Sequence, residues 1–459
     1  MRTRTVLFAV AALVIGLLGA AAPAHARTGP LGRPLIVSFD PDDYAAENQN
    51  WAAVQDTRGM LYVANTGGVL EFDGRDWRLI QVGARLAARS VAADTRGRVF
   101  VGAYGDFGEL RPDLAGELRY VSLAADAHLD ASSVGDVFTA VSGPQGVIFQ
   151  SPLGLFIVGD DGLTVIRPRT QFALGFLVRN RFFVREHGRG LLELVDTRLE
   201  FVEGSERFAD DRVFTMLPVG ESGILLGARD GGFLMFDPAA PPAARFVRAP
   251  GFAGLERELR GKKASPGDVL PDGRLAIGTI QSGLYICFPD GRIQHHLTKA
   301  DGLLDDVVYY VYTDRRGNLV LCLGVGMALV ESSSPFSFVT HTAGLRGTGN
   351  AAWHLERQGL SRTFLGTYQG LYVRDAGRAS FRHVPGSQES WGVLDARGRL
   401  GVGAGLELPG RGRQGGQSQV RSGALQGVCQ PAQLDPPSLG ERLARLPDEP
   451  RGLGRVAGQ

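Results

Sequence analysis

The stretch NWAAVQDTRGMLYVANTGGVLEFDG, residues 50–74, decides the fold of this chain. Apolar residues alternate with polar or small neighbours around Leu61 and again after Gly68, which is the two-residue period of β-strands. The segments Asp56–Gly59 and Thr66–Gly68 have turn chemistry, because glycine tolerates a positive φ and aspartate accepts hydrogen bonds from nearby backbone N–H groups. The stretch therefore predicts three strands joined by two tight turns.

This pattern recurs along the chain, as in VAADTRGRVFVGAYGDFGEL (91–110), DVLPDGRLAIGTIQSGLYICFPDG (268–291) and YTDRRGNLVLCLGVGMALVE (312–331). The turn glycines return at a period of about 40 residues, the length of one four-stranded propeller blade. A single blade cannot bury both of its faces, so neighbouring blades must stack and the ring must close. The repeats predict an all-β propeller of about seven to eight blades over residues 44–403, with 27–43 as a lead-in.

The repeat also resembles a known family. NWAAVQDTRGMLYVANTGGVLEFDG is similar to the periplasmic two-component regulator propeller repeat, whose blades read W-x-I-x-x-D-x-x-G followed by strand, turn and strand. The resemblance implies the sensor region of a hybrid histidine kinase, a diguanylate cyclase or a related one-component regulator. Such propellers are commonly followed by an immunoglobulin-like domain and a membrane helix, so the resemblance implies a membrane-anchored parent protein. Neither module is recognisable in this chain.

The N-terminus predicts export. Arg2 and Arg4 precede the apolar run 6–18, and Ala24-His25-Ala26 supplies a small-x-small cleavage pattern, so residues 1–26 are predicted to be a signal peptide. The alternative is an uncleaved anchor, although the run is shorter than the ~20 residues that span a bilayer. We therefore expect a periplasmic or extracellular protein. A net charge of +1 over 459 residues gives no electrostatic case for a nucleic-acid partner.

The last segment, residues 404–459, departs abruptly from the repeats. It contains no Phe, Trp or Tyr and is rich in Gly, Arg, Gln and Pro without any period. Such a composition cannot bury enough apolar surface to offset the entropy of ordering, so a disordered tail is predicted. The tail is either a natural flexible segment or a frameshift product. The frameshift is favoured, because the repeat at Val393 stops in mid-strand.

The sequence contains no recognisable catalytic motif, metal-ligand spacing or cofactor motif, so no enzyme activity is predicted for this chain. The basic segment GLERELRGKK (254–263) has the wrong spacing for a phosphate loop. His295 and His296 are adjacent on a predicted strand, so they point to opposite faces and cannot share a metal ion without a bulge; they are interpreted as surface histidines after a turn. Cys287 and Cys322 lie in apolar runs and are interpreted as buried thiols, with a disulfide between them as the alternative.

Candidate ligand-binding residues come from the polar segment before the first strand of each blade. In a propeller, the loops that lead to the innermost strands surround one mouth of the ring. Five residues fall at such starts and are predicted to bind a small polar ligand, which could be a carbohydrate: Asn48, Asn50, Trp51, Trp353 and Trp391. The alternative is that the tryptophans pack between blades and the amides cap strand ends.

These observations favour an extracytoplasmic ligand-sensing propeller of a signal-transduction protein, truncated before any output module. A propeller that binds an envelope protein partner through its rim is the first alternative. A propeller-type hydrolase or lyase is the second, and it would require a pair of acidic residues in the mouth.

Overall fold

The computed structural model describes residues 32–403, apart from 340, 358–359, 376–377, 379, 388, 391 and 397–398, together with 432–433. The predicted signal peptide at 1–26 lies outside these residues, and so does the predicted tail except for 432–433. Contacts divide the chain into two compact units. The larger unit is residues 33–337, and the smaller contains the described residues outside that range.

The larger unit, which is described throughout, opens with strand β1 (Ile36–Phe39) and contains seven four-stranded antiparallel sheets. We call them blades 1 to 7. Blade 1 consists of β2 (Asn50–Gln55), β3 (Leu61–Asn65), β4 (Gly68–Phe72) and β5 (Trp77–Ile80). Blade 2 consists of β6 (Ala88–Ala93), β7 (Val99–Ala103), β8 (Phe107–Pro112) and β9 (Leu118–Ser122). Blade 3 consists of β10 (Thr139–Gly143), β11 (Gly146–Ser151), β12 (Gly154–Gly159) and β13 (Gly162–Ile166).

Blades 4 to 7 continue the series in chain order. Blade 4 consists of β14 (Phe172–Val178), β15 (Arg181–Glu186), β16 (Gly190–Val195) and β17 (Arg198–Phe201), and blade 5 of β18 (Val213–Val219), β19 (Gly223–Ala228), β20 (Gly232–Phe236) and β21 (Phe246–Arg248). Blade 6 consists of β22 (Ala264–Val269), β23 (Leu275–Thr279), β24 (Leu284–Cys287) and β25 (Ile293–Leu297). Blade 7 contains β26 (Val308–Thr313), β27 (Leu319–Leu323) and β28 (Met327–Val330). Blade 7 takes its fourth strand from β1, at the other end of the unit.

Short helices occupy the connections between strands. The α-helices are α1 (Pro41–Tyr44), α2 (Leu123–Asp126), α3 (Ala131–Val134) and α4 (Ala253–Leu259), and single 3-10 turns lie at Glu206–Phe208, Pro242–Ala244, Pro250–Phe252, Lys299–Asp301 and His341–Ala343. None of the helices in the described part of the chain is both long and apolar enough to cross a bilayer.

The ring of the larger unit is closed. The first strand of each blade packs against the first strands of its neighbours, and β2 of blade 1 packs against β26 and β27 of blade 7. Strand β1 pairs with β28 in an antiparallel register that sets Ile36 opposite Val330 and Phe39 opposite Met327. The N-terminal segment of the unit thus completes the last blade, and a closed ring leaves few strand edges free to pair with another chain.

Each pair of adjacent blades shares an apolar core. Between blades 7 and 1 this core includes Val63, Leu70, Val320 and Met327, all fully or almost fully buried. Side chains on both faces of second strands such as β3 and β27 are buried in this way, because a blade is covered by a neighbour on each side. The short continuous apolar runs of the sequence, such as LYVAN and LVLCL, are these strands.

The turns have the chemistry that the sequence predicts. The buried carboxylate of Asp56 accepts hydrogen bonds from the backbone N–H groups of Arg58 at 2.8 Å and Met60 at 3.1 Å. Gly59 follows with φ of 90°, a conformation that side chains with a Cβ rarely adopt. The same arrangement recurs at Asp94 and Asp314 in other blades.

The smaller unit contains a further four-stranded sheet of β29 (Gly349–Arg357), β30 (Leu360–Thr367), β31 (Gly370–Asp375) and β32 (Arg382–His383). It also contains β33 (Gly392–Ala396), β34 (Arg399–Gly403) and β35 (Ala432–Gln433), which form one sheet. The prediction of an all-β propeller with seven to eight four-stranded blades is confirmed. Seven blades form one closed ring, and an eighth sheet of the same type lies in the other unit.

Candidate functional site

Asn50, one of the predicted ligand residues, is wholly engaged inside the protein. It is 0% exposed, and its side-chain Nδ2 donates to the carbonyl oxygen of Gly326 at 2.9 Å and to the hydroxyl of Tyr44 at 3.3 Å. Its Oδ1 accepts from Nδ2 of Asn65 at 2.9 Å. In this conformation Asn50 offers no polar atom to a ligand, and its geometry matches the alternative of a structural amide at a strand end.

Asn48 lies on the surface beside it. Its side chain is exposed, while its backbone carbonyl accepts from the N–H of Gly326 at 2.9 Å. Gly326 lies in the turn between β27 and β28, so the segment 47–50 joins blade 1 to blade 7 through both backbone and side chain. The ligand-binding prediction for Asn48 remains a prediction.

Trp51 lies at the start of an innermost strand, as the sequence predicts, and is half-buried. Its indole Nε1 donates to Oγ1 of Thr66 at 3.0 Å. The guanidinium carbon of Arg89 lies 3.5 Å from the centre of the Trp51 ring, and the ring of Tyr309 is 5.0 Å away on centroids. The indole therefore joins side chains of blades 1, 2 and 7 at one face of the ring.

The other two predicted tryptophans, Trp353 and Trp391, belong to the part of the chain outside the larger unit. Trp353 belongs to the smaller unit, where it is half-buried on β29 opposite Phe364. Trp353 is not equivalent to Trp51 when the registers of β29 and β2 are compared. The residue of β29 that matches Trp51 is Asn350, the second residue of the strand. Trp391 lies outside the described residues.

A β-bulge places Trp51 where it is, and the bulge recurs. In β2 the pairing passes from Asn50 to Ala52 and leaves Trp51 as the extra residue. The extra residues at the same point of β6, β18 and β26 are Arg89, Phe214 and Tyr309. A bulge re-aims the side chain of its extra residue, so several blades turn one side chain out of the regular pleat at the face where the innermost strands begin. We call this the mouth face.

Arg89 is the centre of a cluster on the mouth face. Its Nε donates to Oδ1 of Asp136 at 3.1 Å, and its guanidinium carbon lies 5.2 Å from the centre of the Phe138 ring. Both members of the ion pair are largely buried, with side-chain exposures of 16% for Arg89 and 21% for Asp136. This is the one side-chain hydrogen bond of Arg89 among the described residues, so its two Nη atoms carry unused donors.

Two exposed aromatic rings flank this ion pair. Phe138 is 41% exposed and Tyr104, in the turn between β7 and β8, is 65% exposed. Tyr104 and Asp136 form an isolated antiparallel bridge, so their side chains project from the same face of the backbone. We call Arg89, Asp136, Phe138 and Tyr104 the mouth cluster.

Burial raises the pKa of Asp136, and the Arg89 charge partly offsets that effect. The charge on the carboxylate is thus favoured by its partner and disfavoured by its surroundings. A ligand hydroxyl that donated to Asp136 while accepting from Arg89 would find both groups already oriented. The exposed rings beside them supply the apolar faces against which a sugar ring or a similar ring can stack.

The sequence prediction missed all four residues of the mouth cluster, although one signal for Arg89 was present. Trp51, Arg89 and Tyr309 each stand five residues before the turn aspartates Asp56, Asp94 and Asp314. Aligning the repeats on that aspartate would have placed Arg89 beside Trp51. Tyr104 lies in the turn between the second and third strands of its repeat, and Phe138 lies in the connection before β10; no sequence signal marks either as a ligand residue.

Comparison with solved structures supports the fold assignment. The chain is similar to the extracellular domain of the hybrid two-component system BT3049 from B. thetaiotaomicron, with a TM-score of 0.54 and 15% identity over 81% of this chain and 52% of that chain. It is also similar to the extracellular domain of the hybrid two-component system BT4673 from the same organism, with a TM-score of 0.50 and 13% identity over 81% of this chain and 52% of that one. This is the propeller fold of regulator extracellular domains.

The resemblance stated from the sequence is therefore confirmed at the level of the fold. The chain spans about half the length of these solved structures. A more distant likeness, with a TM-score of 0.43 and 9% identity over 64% of this chain and 98% of the other, is to virginiamycin B lyase from Staphylococcus aureus. No family model matches the sequence, and no curated protein sequence matches it either.

Proposed function

We propose that this propeller is the extracytoplasmic ligand-sensing domain of a signal-transduction protein and that its ligand binds at the mouth cluster. The observation that carries the proposal is the Arg89–Asp136 ion pair, 3.1 Å long, flanked by the exposed rings of Phe138 and Tyr104. In this proposal the propeller recognises the ligand, and a separate module of the parent protein converts binding into a signal.

The chemistry of the mouth cluster suits a small, neutral, hydroxyl-rich ligand such as a sugar. The free Nη donors of Arg89 and the lone pairs of Asp136 can pair with hydroxyl groups, and exposed aromatic rings stack on the C–H faces of a pyranose. The ion pair itself is neutral overall, so it does not favour an anionic or a cationic ligand. The role of Trp51 is then to hold Arg89 through the cation–π contact of 3.5 Å.

The ion pair also bears on the hydrolase alternative. That alternative requires a pair of carboxyl groups of which one is protonated and the other ionised, whereas the partner of Asp136 is a guanidinium. Within the described residues, no group of three or more His, Cys, Asp or Glu side chains is placed to hold a metal ion. Recognition without turnover is the function that this geometry favours.

Calorimetric titration of the purified chain with glucose, galactose, maltose and cellobiose tests the proposal. Tyr104→Ala should weaken binding of the sugar that binds wild type by tenfold or more, with little change in melting temperature, because the side chain is mostly exposed. Phe336→Ala is the matched control, because Phe336 is a 76% exposed ring that follows β28 and so lies at the opposite face of the ring. Equal loss of binding in both variants, or no binding of any sugar, would contradict the proposal.

A further inference from the structure

A second concave site lies on the mouth face, between blades 5 and 6. It is a cleft of about 840 Å³ formed by the loop before β18, the turn between β19 and β20, and the segment that links α4 to β22. The volume lies in the range of small-molecule pockets, ~300–1,000 Å³. Six cationic and two acidic side chains line this cleft. The cations are Arg212, Arg229, Arg248, Arg260, Lys262 and Lys263, and the acids are Asp230 and Glu256.

Two of the six cations already have partners. Arg248 Nη2 lies 3.1 Å from Glu256 Oε2, and Nη1 of the same guanidinium donates to the carbonyl oxygen of Gly231. Lys262 Nζ donates to the hydroxyl of Tyr285 at 2.8 Å. These contacts hold the wall of the cleft and leave Asp230 as its one lining acid outside an ion pair.

The other four cations are unengaged. Arg212, Arg229, Arg260 and Lys263 are exposed, and their side chains make no hydrogen bond or ion pair with any described residue. Four unneutralised cations around one concavity produce a positive potential that is focused by the low-dielectric walls. The chain as a whole carries a net charge of only +1, so this excess is local and is not a general positive charge of the protein.

A buried guanidinium contacts the loop before β18, which forms one wall of the cleft. Arg185 is 3% exposed. Its Nη1 donates to the carbonyl oxygens of Phe208 at 3.3 Å and Ala209 at 2.8 Å. Its Nε has no hydrogen-bond partner among the described residues. Burial lowers the pKa of Arg185, and the charges of Arg212 and Arg229 lower it further, while the carboxylates of Asp211 and Asp210 act in the opposite direction. Partial desolvation lowers the pKa of Arg212 even though its side chain is exposed, with a further contribution from the Arg229 charge.

We propose that the cleft between blades 5 and 6 binds a small multivalent anion, with at least two phosphate, sulfate or carboxylate groups held by Arg212, Arg229, Arg260 and Lys263. An anion there would relieve the repulsion among the like charges, and the planar guanidinium groups match the geometry of such oxygen groups. The site is separate from the mouth cluster and does not depend on the function proposed for it. The basic segment 254–263 of the sequence forms one wall of this cleft.

Calorimetric titration of the whole chain at constant ionic strength tests the proposal, with pyrophosphate, methanedisulfonate and citrate as probes. These three arms distinguish phosphate, sulfate-like and carboxylate chemistry. At least one should bind saturably, and the double variant Arg229→Gln with Lys263→Gln should bind it at least tenfold more weakly. Both side chains are exposed and unengaged, so the melting temperature of the variant without anion should equal or exceed that of wild type.

The matched control is the double variant Arg75→Gln with Lys299→Gln, which removes the same two kinds of cation from exposed positions outside the cleft. It should bind the probe as wild type does. The proposal is overturned if none of the probes binds saturably, if the cleft variant binds normally, or if the control loses as much affinity as the cleft variant. Tyr104→Ala should leave anion binding unchanged, so failure at the mouth cluster and failure here are distinguishable.

Discussion

The side-chain amide of Asn50 donates a 2.9 Å hydrogen bond to the carbonyl oxygen of Gly326, a residue 276 positions further along the chain. Asn50 begins the innermost strand of blade 1, and Gly326 lies in a turn of blade 7. The backbone N–H of Gly326 donates in turn to the carbonyl of Asn48. The junction at which the ring closes is therefore held by polar bonds in addition to the apolar core between the two blades.

Asn50→Ala should destabilise the propeller. The substitution removes three side-chain hydrogen bonds from a buried site, with the Gly326 carbonyl, the Tyr44 hydroxyl and the Asn65 amide, and each such bond is worth ~0.5–1.5 kcal/mol. We expect a loss of about 2–4 kcal/mol in the free energy of unfolding, measured by urea denaturation. Asn48→Ala, at an exposed side chain in the same loop, is the control and should change the stability by less than ~0.5 kcal/mol. Equal stability of the two variants would show that the Asn50 amide does not hold the closure.

Arg89→Gln should destabilise the protein in a manner that depends on pH. Burial raises the pKa of Asp136, and removing Arg89 should raise it further, because burial then acts without an opposing charge. At pH 7 Asp136 is ionised in the unfolded chain, and in the folded variant the ionised carboxylate would be largely buried without a partner. We therefore expect the variant to lose about 2 kcal/mol in the free energy of unfolding. Below about pH 4 the carboxyl is protonated in both states, and the loss should shrink.

Denaturation of wild type and of Arg89→Gln at pH 4 and pH 7 measures this difference. In an Asp136→Asn background the same substitution should have a small effect that is equal at both pH values, arising from the lost contact with Trp51. A loss of stability in Arg89→Gln that is larger at pH 4 than at pH 7 would show that the ion pair is not the origin of the effect.

Cys287 and Cys322 should be unreactive thiols in the folded protein. Both are free and buried, in the cores between blades 5 and 6 and between blades 7 and 1 respectively, so the disulfide alternative is wrong. Burial raises the pKa of Cys287 to about 12 and also raises that of Cys322, which suppresses the reactive thiolate. In a Cys429→Ser variant we expect no reaction with Ellman's reagent in native buffer and two thiols in guanidinium chloride. A native titre of one or two would contradict the buried placement.

The sequence predicted the fold because each repeat carries its own turn chemistry. Asp56 and Gly59 form a tight turn through local bonds, and the apolar runs between turns are strands covered on both faces. The closure could not be predicted in this way. Ile36–Phe39 carries no turn motif, and its pairing with β28 depends on which end of the ring supplies the last strand, a property of the whole ring rather than of one repeat.

The candidate site was only partly predictable for a related reason. A bulge in β2 turns Trp51 out of the pleat, and nothing in the residues of a single repeat marks that one-residue offset. Asn50 has the composition of a ligand-binding amide, but whether an amide faces solvent or a neighbouring blade is set by a contact with Gly326 that only the closed ring creates. Trp353 was matched to Trp51 by residue type, whereas the register of β29 matches it to Val54.

His295 should make the stability of the propeller depend on pH. His295 and His296 are adjacent on β25, and His296 stacks on Tyr285 with ring centroids 4.1 Å apart while His295 is half-buried opposite Ile286. Burial, together with the nearby charge of Arg274, lowers the pKa of His295 to about 4 from an ordinary value of 6.5. Between these two pH values the unfolded chain binds a proton at this site and the folded chain does not, so the free energy of unfolding rises with pH in that window.

The slope that one such group contributes is at most ~1.4 kcal/mol per pH unit. His295→Gln cannot titrate, so the difference in unfolding free energy between wild type and this variant should grow in favour of wild type as the pH rises from about 4 to 6.5 and should then level off. His296→Gln removes the exposed neighbour and is the control; its difference from wild type should show much less of this dependence. Urea denaturation at half-unit steps of pH measures both curves. A difference for His295→Gln that stays flat from pH 4 to 6.5 would mean that His295 is protonated in the folded protein and that its surroundings do not exclude the charge.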